Sequence, residues 1–176
     1  MSRPTDWNPS LWKDCFEELL DQELDHGDEW TLGFNYRQTD EVSMEDRKRG
    51  WKVGKQCAYG GFRCGRCSNT WWSAKVTLVF RYRLRKTAEK GTVIMRPFGQ
   101  SCRSCHDDQD VFYMAGFSDD VVDRTLLQLF KKIRKNCYGE EQDGSDVPVC
   151  DIVRKTKPHK KELCEACQQG ICCLEE

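Results

Sequence analysis

The sequence predicts an α+β fold: an antiparallel β-sheet built around one long hairpin, with an N-terminal helix and one long helix packed on it. Three observations predict this. Residues 71–98 hold two stretches of apolar/polar alternation separated by a charged turn, the pattern of a half-buried hairpin. Two Cys-x-x-Cys pairs, Cys64 with Cys67 and Cys102 with Cys105, stand just outside the two ends of that hairpin. Two other stretches, starting at Asn8 and Ser118, repeat their apolar residues at helical spacing behind good capping residues.

Asn8 caps the first helix, Pro9 suits its first position, and the helix runs to about Leu24. Leu11, Trp12, Phe16, Leu19, Leu20 and Glu23 or Leu24 make its apolar face, and Asp14, Glu17, Glu18 and Asp21 an acidic one. This is the pattern of a surface helix packed on a domain, with Cys15 a buried thiol beside the apolar face. Glu29 to Arg37 alternates through Trp30, Leu32, Phe34 and Tyr36 and reads as a strand. Residues 39–50 are charged and read as a loop or short helix, in which Arg47-Lys48-Arg49 is a solvated basic run. Cys57 reads as a strand residue and not as a ligand, because Cys64 and Cys67 already complete the first pair.

From Trp71 to Arg85, Ala74, Val76, Leu78, Phe80, Tyr82 and Leu84 fall on one face, and Lys75, Thr77, Val79, Arg81, Arg83 and Arg85 on the other. Lys86 to Gly91 turns the chain, and Thr92 to Phe98 returns with Val93 and Met95 facing opposite to Ile94 and Arg96. Val111 to Phe117 reads as a further strand. Ser118 then caps a helix through Cys137, striped by Val122, Leu126, Leu129, Phe130 and Ile133 and ended by Tyr138-Gly139. Asp119 and Asp120 in its first turn, and Lys131, Lys132, Arg134 and Lys135 near its end, suit the helix dipole. An acidic loop over 139–148, a short strand from Val149 to Val153, a basic stretch and a cysteine-rich end follow.

Two residues between cysteines let the backbone turn so that both sulfurs point at one ion, and zinc takes four such ligands in a tetrahedron. Antiparallel pairing of the hairpin brings its ends together, so Cys64, Cys67, Cys102 and Cys105 are expected to hold one zinc ion, as in a zinc ribbon. His159, Cys164 and Cys167 give three ligands of a second site at H-x4-C-x2-C spacing. Its fourth ligand is Cys172 or, as the alternative, Cys137. Twelve cysteines in 176 residues also suit a disulfide-stapled secreted protein, but Met1-Ser2-Arg3-Pro4 opens no secretory leader. No βαβ pattern follows any pair, which argues against a thioredoxin-like redox motif. Both ions are expected to be structural, since metal binding energy becomes folding energy where the apolar core is thin, and only 38% of residues are hydrophobic.

The balance of 28 basic and 29 acidic residues gives a formal net charge of −1 and points to no single partner. No stretch approaches the ~20 apolar residues of a membrane helix, so a soluble, cytoplasmic chain is expected. A single domain over 1–176 is expected: the N-terminal helix within 1–28, the sheet, first zinc site and long helix within 29–138, and the acidic loop and second zinc site within 139–176. No general base stands beside cysteine-filled sites, so neither catalysis nor a small-molecule substrate is expected. Lys75, Arg81, Arg83, Arg85 and Arg96 are candidates for RNA phosphate contacts, against the plainer reading of a solvated sheet face.

The chain resembles the three-CxxC zinc-finger family, and most closely the receptor-transporting proteins. The matching stretches are Phe62-Arg63-Cys64 through Cys67-Ser68, Trp72-Ser73-Ala74, Gly91 through Arg96, Phe98-Gly99-Gln100, Cys102 through Cys105, Cys137-Tyr138-Gly139, Pro158-His159 and Leu163 through Cys172. The helix from Trp12 to Leu20 and Gly50-Trp51-Lys52 match as well. The resemblance implies a zinc-binding adaptor that assists trafficking of G-protein-coupled receptors, such as odorant or taste receptors, or of other membrane clients. In an interferon-induced branch it implies antiviral activity on RNA or viral replication complexes. Members usually carry a carboxy-terminal membrane anchor, so membrane association is expected of a full-length form.

Overall fold

The computed structural model describes residues 5–24, 26–102, 104, 111–139 and 163–171. Helix α1 (Pro9–Glu23) begins where expected: Asn8 Oδ1 accepts the Leu11 amide at 3.3 Å, with Pro9 in the first turn. Strand β1 (Glu29–Phe34) is shorter than the alternation suggests. It stops because Asn35 folds its side chain onto the Arg37 amide at 2.9 Å and turns the backbone out of the sheet. The charged segment does contain a short helix, α2 (Met44–Lys48), capped by Ser43.

The sheet is completed by β2 (Lys52–Arg63), β3 (Thr70–Arg85) and β4 (Lys90–Pro97), in the order β1-β4-β3-β2. β2, β3 and β4 pair antiparallel, and Cys57 lies within β2. The expectation of a wholly antiparallel sheet is corrected at one edge, where β1 pairs parallel to β4 with Trp30 opposite Gly91. β1 reaches the sheet from the helix layer and not through a tight turn, so nothing obliges it to run against its neighbour. The expected strand from Val111 to Phe117 is also absent. Among the described residues this segment makes two isolated bridges, Tyr113 to Gln100 and Gly116 to Gly61.

Helix α3 (Asp119–Tyr138) runs from the Ser118 cap to Gly139, whose φ of 66° is the left-handed C-cap conformation that glycine adopts without strain. α1 and α3 cover one face of the sheet. Between them and the sheet lie Trp12, Phe16, Phe130, Leu126 and Leu129 from the helices, and Val76, Leu78, Phe80, Tyr82, Val93 and Met95 from the strands. The core is thus larger than the composition suggests, because aromatic rings fill it: Trp12 packs edge-on against Phe117, and Phe16 lies tilted against Phe130.

The opposite face was expected to be polar, yet Thr77 and Val79 on it are buried. Val79 packs under Phe98, Cys164, Ala166 and Ile171, a second small core formed by residues 163–171. Arg96 secures this cover. It is 5% exposed, donates to the Gln38 carbonyl at 2.8 Å, pairs with Glu165 at 3.4 Å and lies over the Phe98 ring.

Cys15 is the buried thiol expected of it, and burial, reinforced by the Asp123 charge, pushes its pKa up to about 12. An acid held more protonated when folded contributes stability that is complete below its ordinary pKa of 9.0 and is lost as pH climbs toward 12. Cys15 is therefore expected to resist iodoacetamide at pH 8.5 in the native chain and to react within minutes once denatured. Peptide mass mapping of Cys15 alkylation before and after unfolding checks this.

Candidate metal centre

Cys64 ends the run after β2, Cys67 lies in the turn before β3, and Cys102 follows β4. Strand pairing alone does not bring them together. The β3–β4 ladder stops at Leu78 and Pro97, leaving residues 70–77 of β3 without a β4 partner. Residues 98–102 close the gap by running on beside β3. Phe98 donates its amide to Thr77 O at 3.0 Å, and Gln100 accepts from Trp71 Nε1 at 3.1 Å and donates to Ser73 Oγ at 3.0 Å. Gln100 also pairs with Tyr113 through both backbone groups, which carries the 111–117 segment to the site.

The result is a thiol cluster. The Sγ atoms of Cys64, Cys67 and Cys102 lie within 4.8 Å of one another, with Cys67 and Cys102 at 3.6 Å. Four sulfurs on a zinc ion at ~2.3 Å stand about 3.8 Å apart along each tetrahedral edge, so the donor set and its spacing fit zinc. Cys64 and Cys102 are buried and Cys67 is exposed, so the centre opens to solvent on one side. Donors converge on the sulfurs: the Arg66 amide reaches Cys64 Sγ at 3.4 Å and the Asn69 side-chain amide reaches Cys102 Sγ at 3.6 Å. The Tyr113 hydroxyl stands 3.7 Å from Cys64 Sγ. Chiefly through the Cys67 backbone amide, and against the effect of burial, these donors bring the Cys64 thiol down to about 6. Donors aimed at the sulfur favour the thiolate, the form that binds metal. Cys105, expected as the fourth ligand, lies outside the described residues.

Asn69 and Tyr113 were not singled out in the sequence. Asn69 is two residues past Cys67, a position from which a turn side chain reaches back, so a local signal existed. Tyr113 carries none, since 49 residues separate it from the sulfur it meets.

Of the second expected site, His159 and Cys172 lie outside the described residues. Cys164 and Cys167 are described. They flank the start of a one-turn helix, α4 (Glu165–Gln168), with the Cys167 amide donating to Cys164 Sγ at 3.4 Å. The same relation, second-cysteine amide to first-cysteine sulfur, holds in the Cys64/Cys67 pair. Residues 163–171 are clipped beside the first centre: Ser101 N donates to Leu163 O at 2.8 Å, and Glu165 accepts the Gly99 amide at 2.9 Å. Cys137 does not join them. It packs in the helix-covered core, whereas Cys164 and Cys167 lie on the other face of the sheet. Cys57 is disulfide-bonded, which keeps it out of the ligand set.

The basic residues of β3 and β4 are distributed unevenly. Arg96 is buried under the 163–171 cover. Arg81 donates to the carbonyls of Thr39 and Glu41, at 3.2 and 2.6 Å. Arg83 lies 4.6 Å over the Trp51 ring. Lys75 and Arg85 are exposed.

Comparison with known proteins agrees with this geometry. The chain is 34% identical over 162 residues to human receptor-transporting protein 4, covering 92% of the chain and 63% of that protein. It is 33% identical to mouse receptor-transporting protein 3, covering 92% of the chain and 33% of that protein. Mouse receptor-transporting protein 1 is 29% identical, over 91% of the chain and 58% of its own length. The chain thus spans between about a third and two-thirds of these relatives. No solved structure matches it. A family described as a zinc-binding domain, the zinc ribbon with three Cys-x-x-Cys pairs, matches residues 57–170, the stretch that holds the thiol cluster and the clipped third pair, and the chain belongs to that family.

Proposed function

We propose that this chain is a non-enzymatic, zinc-held adaptor that binds a membrane receptor and promotes its delivery to the cell surface. The observation that carries the reading is kinship along 92% of the chain with a protein named for receptor transport. G-protein-coupled receptors, odorant or taste receptors among them, are the proposed clients. The zinc ions are structural. Cys64, Cys67 and Cys102, with Cys105, hold the first, and Cys164 and Cys167, with His159 and Cys172, hold the second. The matching knuckle hydrogen bonds of the Cys64 and Cys164 pairs support the second set. When bound, zinc supplies a rigid cross-link between β-strand ends and the following segment. Asn69 and Tyr113 orient the sulfurs. Among the described residues no helix is long and apolar enough to cross a membrane.

The test is co-expression with an odorant receptor carrying an extracellular epitope. The chain, in its full-length form, is expected to raise surface staining several-fold over receptor alone and to co-precipitate with the receptor. Equal staining with and without the chain, together with no receptor in the precipitate, refutes the proposal.

A further inference from the structure

The sheet face turned away from α1 and α3 is covered at one end by residues 163–171 and next to it by residues 38–42, where Gln38 donates to the carbonyls of Val79 and Ile94. Phe98 and residues 163–171 lie over Val79. Beyond Arg81 no described helix or strand covers this face. It carries Arg83 and Arg85 on β3, with Arg83 opposite Thr92 on β4. A shallow recess lined by Gly33, Tyr36, Arg37 and Ile94 continues it toward β1. Arg83 also touches Gly50 and covers Trp51, which sets the exposed Arg47, Lys48 and Arg49 of the α2 end beside it.

Charge on this face is only partly balanced, by exposed Glu29 opposite Lys90 and by Asp40 paired with Lys55. Among the described residues the ion pairs are Lys55–Asp40, Arg96–Glu165 and Arg134–Glu23, so Arg37, Arg81, Arg83 and Arg85 meet no carboxylate. The opposite side of the molecule is the reverse. Asp14, Glu17, Glu18 and Asp21 of α1 and Asp119 and Asp120 of α3 are exposed there. A net charge of −1 therefore conceals a molecule with a basic face and an acidic back. Such a dipole turns in the field of a negative plane so that one face meets it.

We propose that this arginine face docks on the headgroups of an anionic phospholipid membrane. The inference rests on the adaptor reading, and it specifies which side of the adaptor faces the bilayer. Charge complementarity selects an anion. Ring geometry argues for lipid over single-stranded RNA: Trp51 is taken by Arg83, and Tyr36 stacks on Phe34 and accepts the Trp7 indole N–H at 3.0 Å. Among the described residues of this face, no row of open rings is left for bases to stack on. The exposed Arg37 and Arg85, with Arg47, Lys48 and Arg49, need only a surface of phosphates, and each basic residue near such a surface strengthens binding several-fold.

Co-sedimentation of the full chain with phosphatidylcholine vesicles, with and without phosphatidylserine, tests this. Binding is expected only with phosphatidylserine, and it weakens as salt is raised. The triple variant Arg37→Glu/Arg83→Glu/Arg85→Glu is expected to lower the partition coefficient on the order of a hundredfold. Because Arg83 packs on Trp51, the double variant Arg37→Glu/Arg85→Glu, which changes two exposed residues, is run beside it; circular dichroism and zinc content confirm folding. A fall in the double variant with folding intact supports docking. Equal partition of wild type and double variant overturns it, as does failure to bind phosphatidylserine vesicles while retaining poly-uridylate or polyglutamate. If vesicle binding fails while surface delivery of the receptor persists, the docking inference alone is lost. If vesicles bind while delivery is absent, the adaptor function is lost and the docking stands.

Discussion

Cys102→Ser is expected to strip zinc from the first centre and to lower the melting temperature by at least about 15 °C. Cys102 is 3% exposed and lies 3.6 Å from Cys67 Sγ, so a hydroxyl there meets the same buried surroundings with far weaker affinity for the ion. The loss is large because this thiol sits at the end of the irregular 98–102 segment. Besides the metal, Gln100 is what ties that segment to Trp71 and Ser73 at the start of β3. Structural zinc contributes on the order of 10 kcal/mol in small metal-held domains, comparable to the whole stability of an ordinary one. Mass-spectrometric metal analysis and thermal melts on wild type, Cys102→Ser and chelator-treated wild type provide the check. A melting curve unmoved by chelation would show that the sheet and its aromatic core stand without the ion.

Gly91→Ala is expected to cost about 3 kcal/mol, or roughly a 10 °C drop in melting temperature. A Cβ at Gly91 would lie 2.1 to 2.3 Å from three atoms of the Trp30 ring, which crosses directly over it. The ring cannot easily move aside. Its indole N–H donates to the Tyr138 hydroxyl at 3.0 Å, and that hydroxyl donates to Asp28 at 2.7 Å. Gly33 provides the internal control, since a Cβ there meets nothing within 4 Å, and Gly33→Ala is expected to be neutral or slightly stabilising. Placing Gly91→Ala in a Trp30→Ala background is expected to abolish its cost, because the two residues share one space. Denaturant titration of the four chains of that cycle reads the coupling. Simple additivity would mean the ring is not what excludes a side chain at position 91.

The helices were legible because their signals are local. Asn8 and Ser118 cap where the sequence says they do, and the apolar residues of 122–133 repeat on one side. The β3–β4 hairpin was legible for the same reason: alternation is read within one strand. The 111–117 segment misled because apolar residues and alternation suit a strand, while its backbone partners, Gln100 and Gly61, are supplied by distant chain. The reverse face of β3 misled in the other direction. Val79 looks like the outer side of a strand until residues 163–171 arrive to cover it. Of the expected ligands, proximity was legible for the two ends of the hairpin. The sulfur-orienting Tyr113 was not, nor was the placing of Cys137 across the sheet from Cys164 and Cys167.

By itself, then, the sequence determined the secondary structure of the helices and central hairpin, the metal-binding chemistry and the family, because spacing, capping and periodicity act over a few residues. Only the tertiary structure decided that β1 runs parallel, that Arg96 is buried and Arg83 half-buried against Trp51, and that Cys137 is parted from the third cysteine pair. Each of those depends on which distant segment shields a face from water, and burial is a property of the assembled chain that no short stretch encodes.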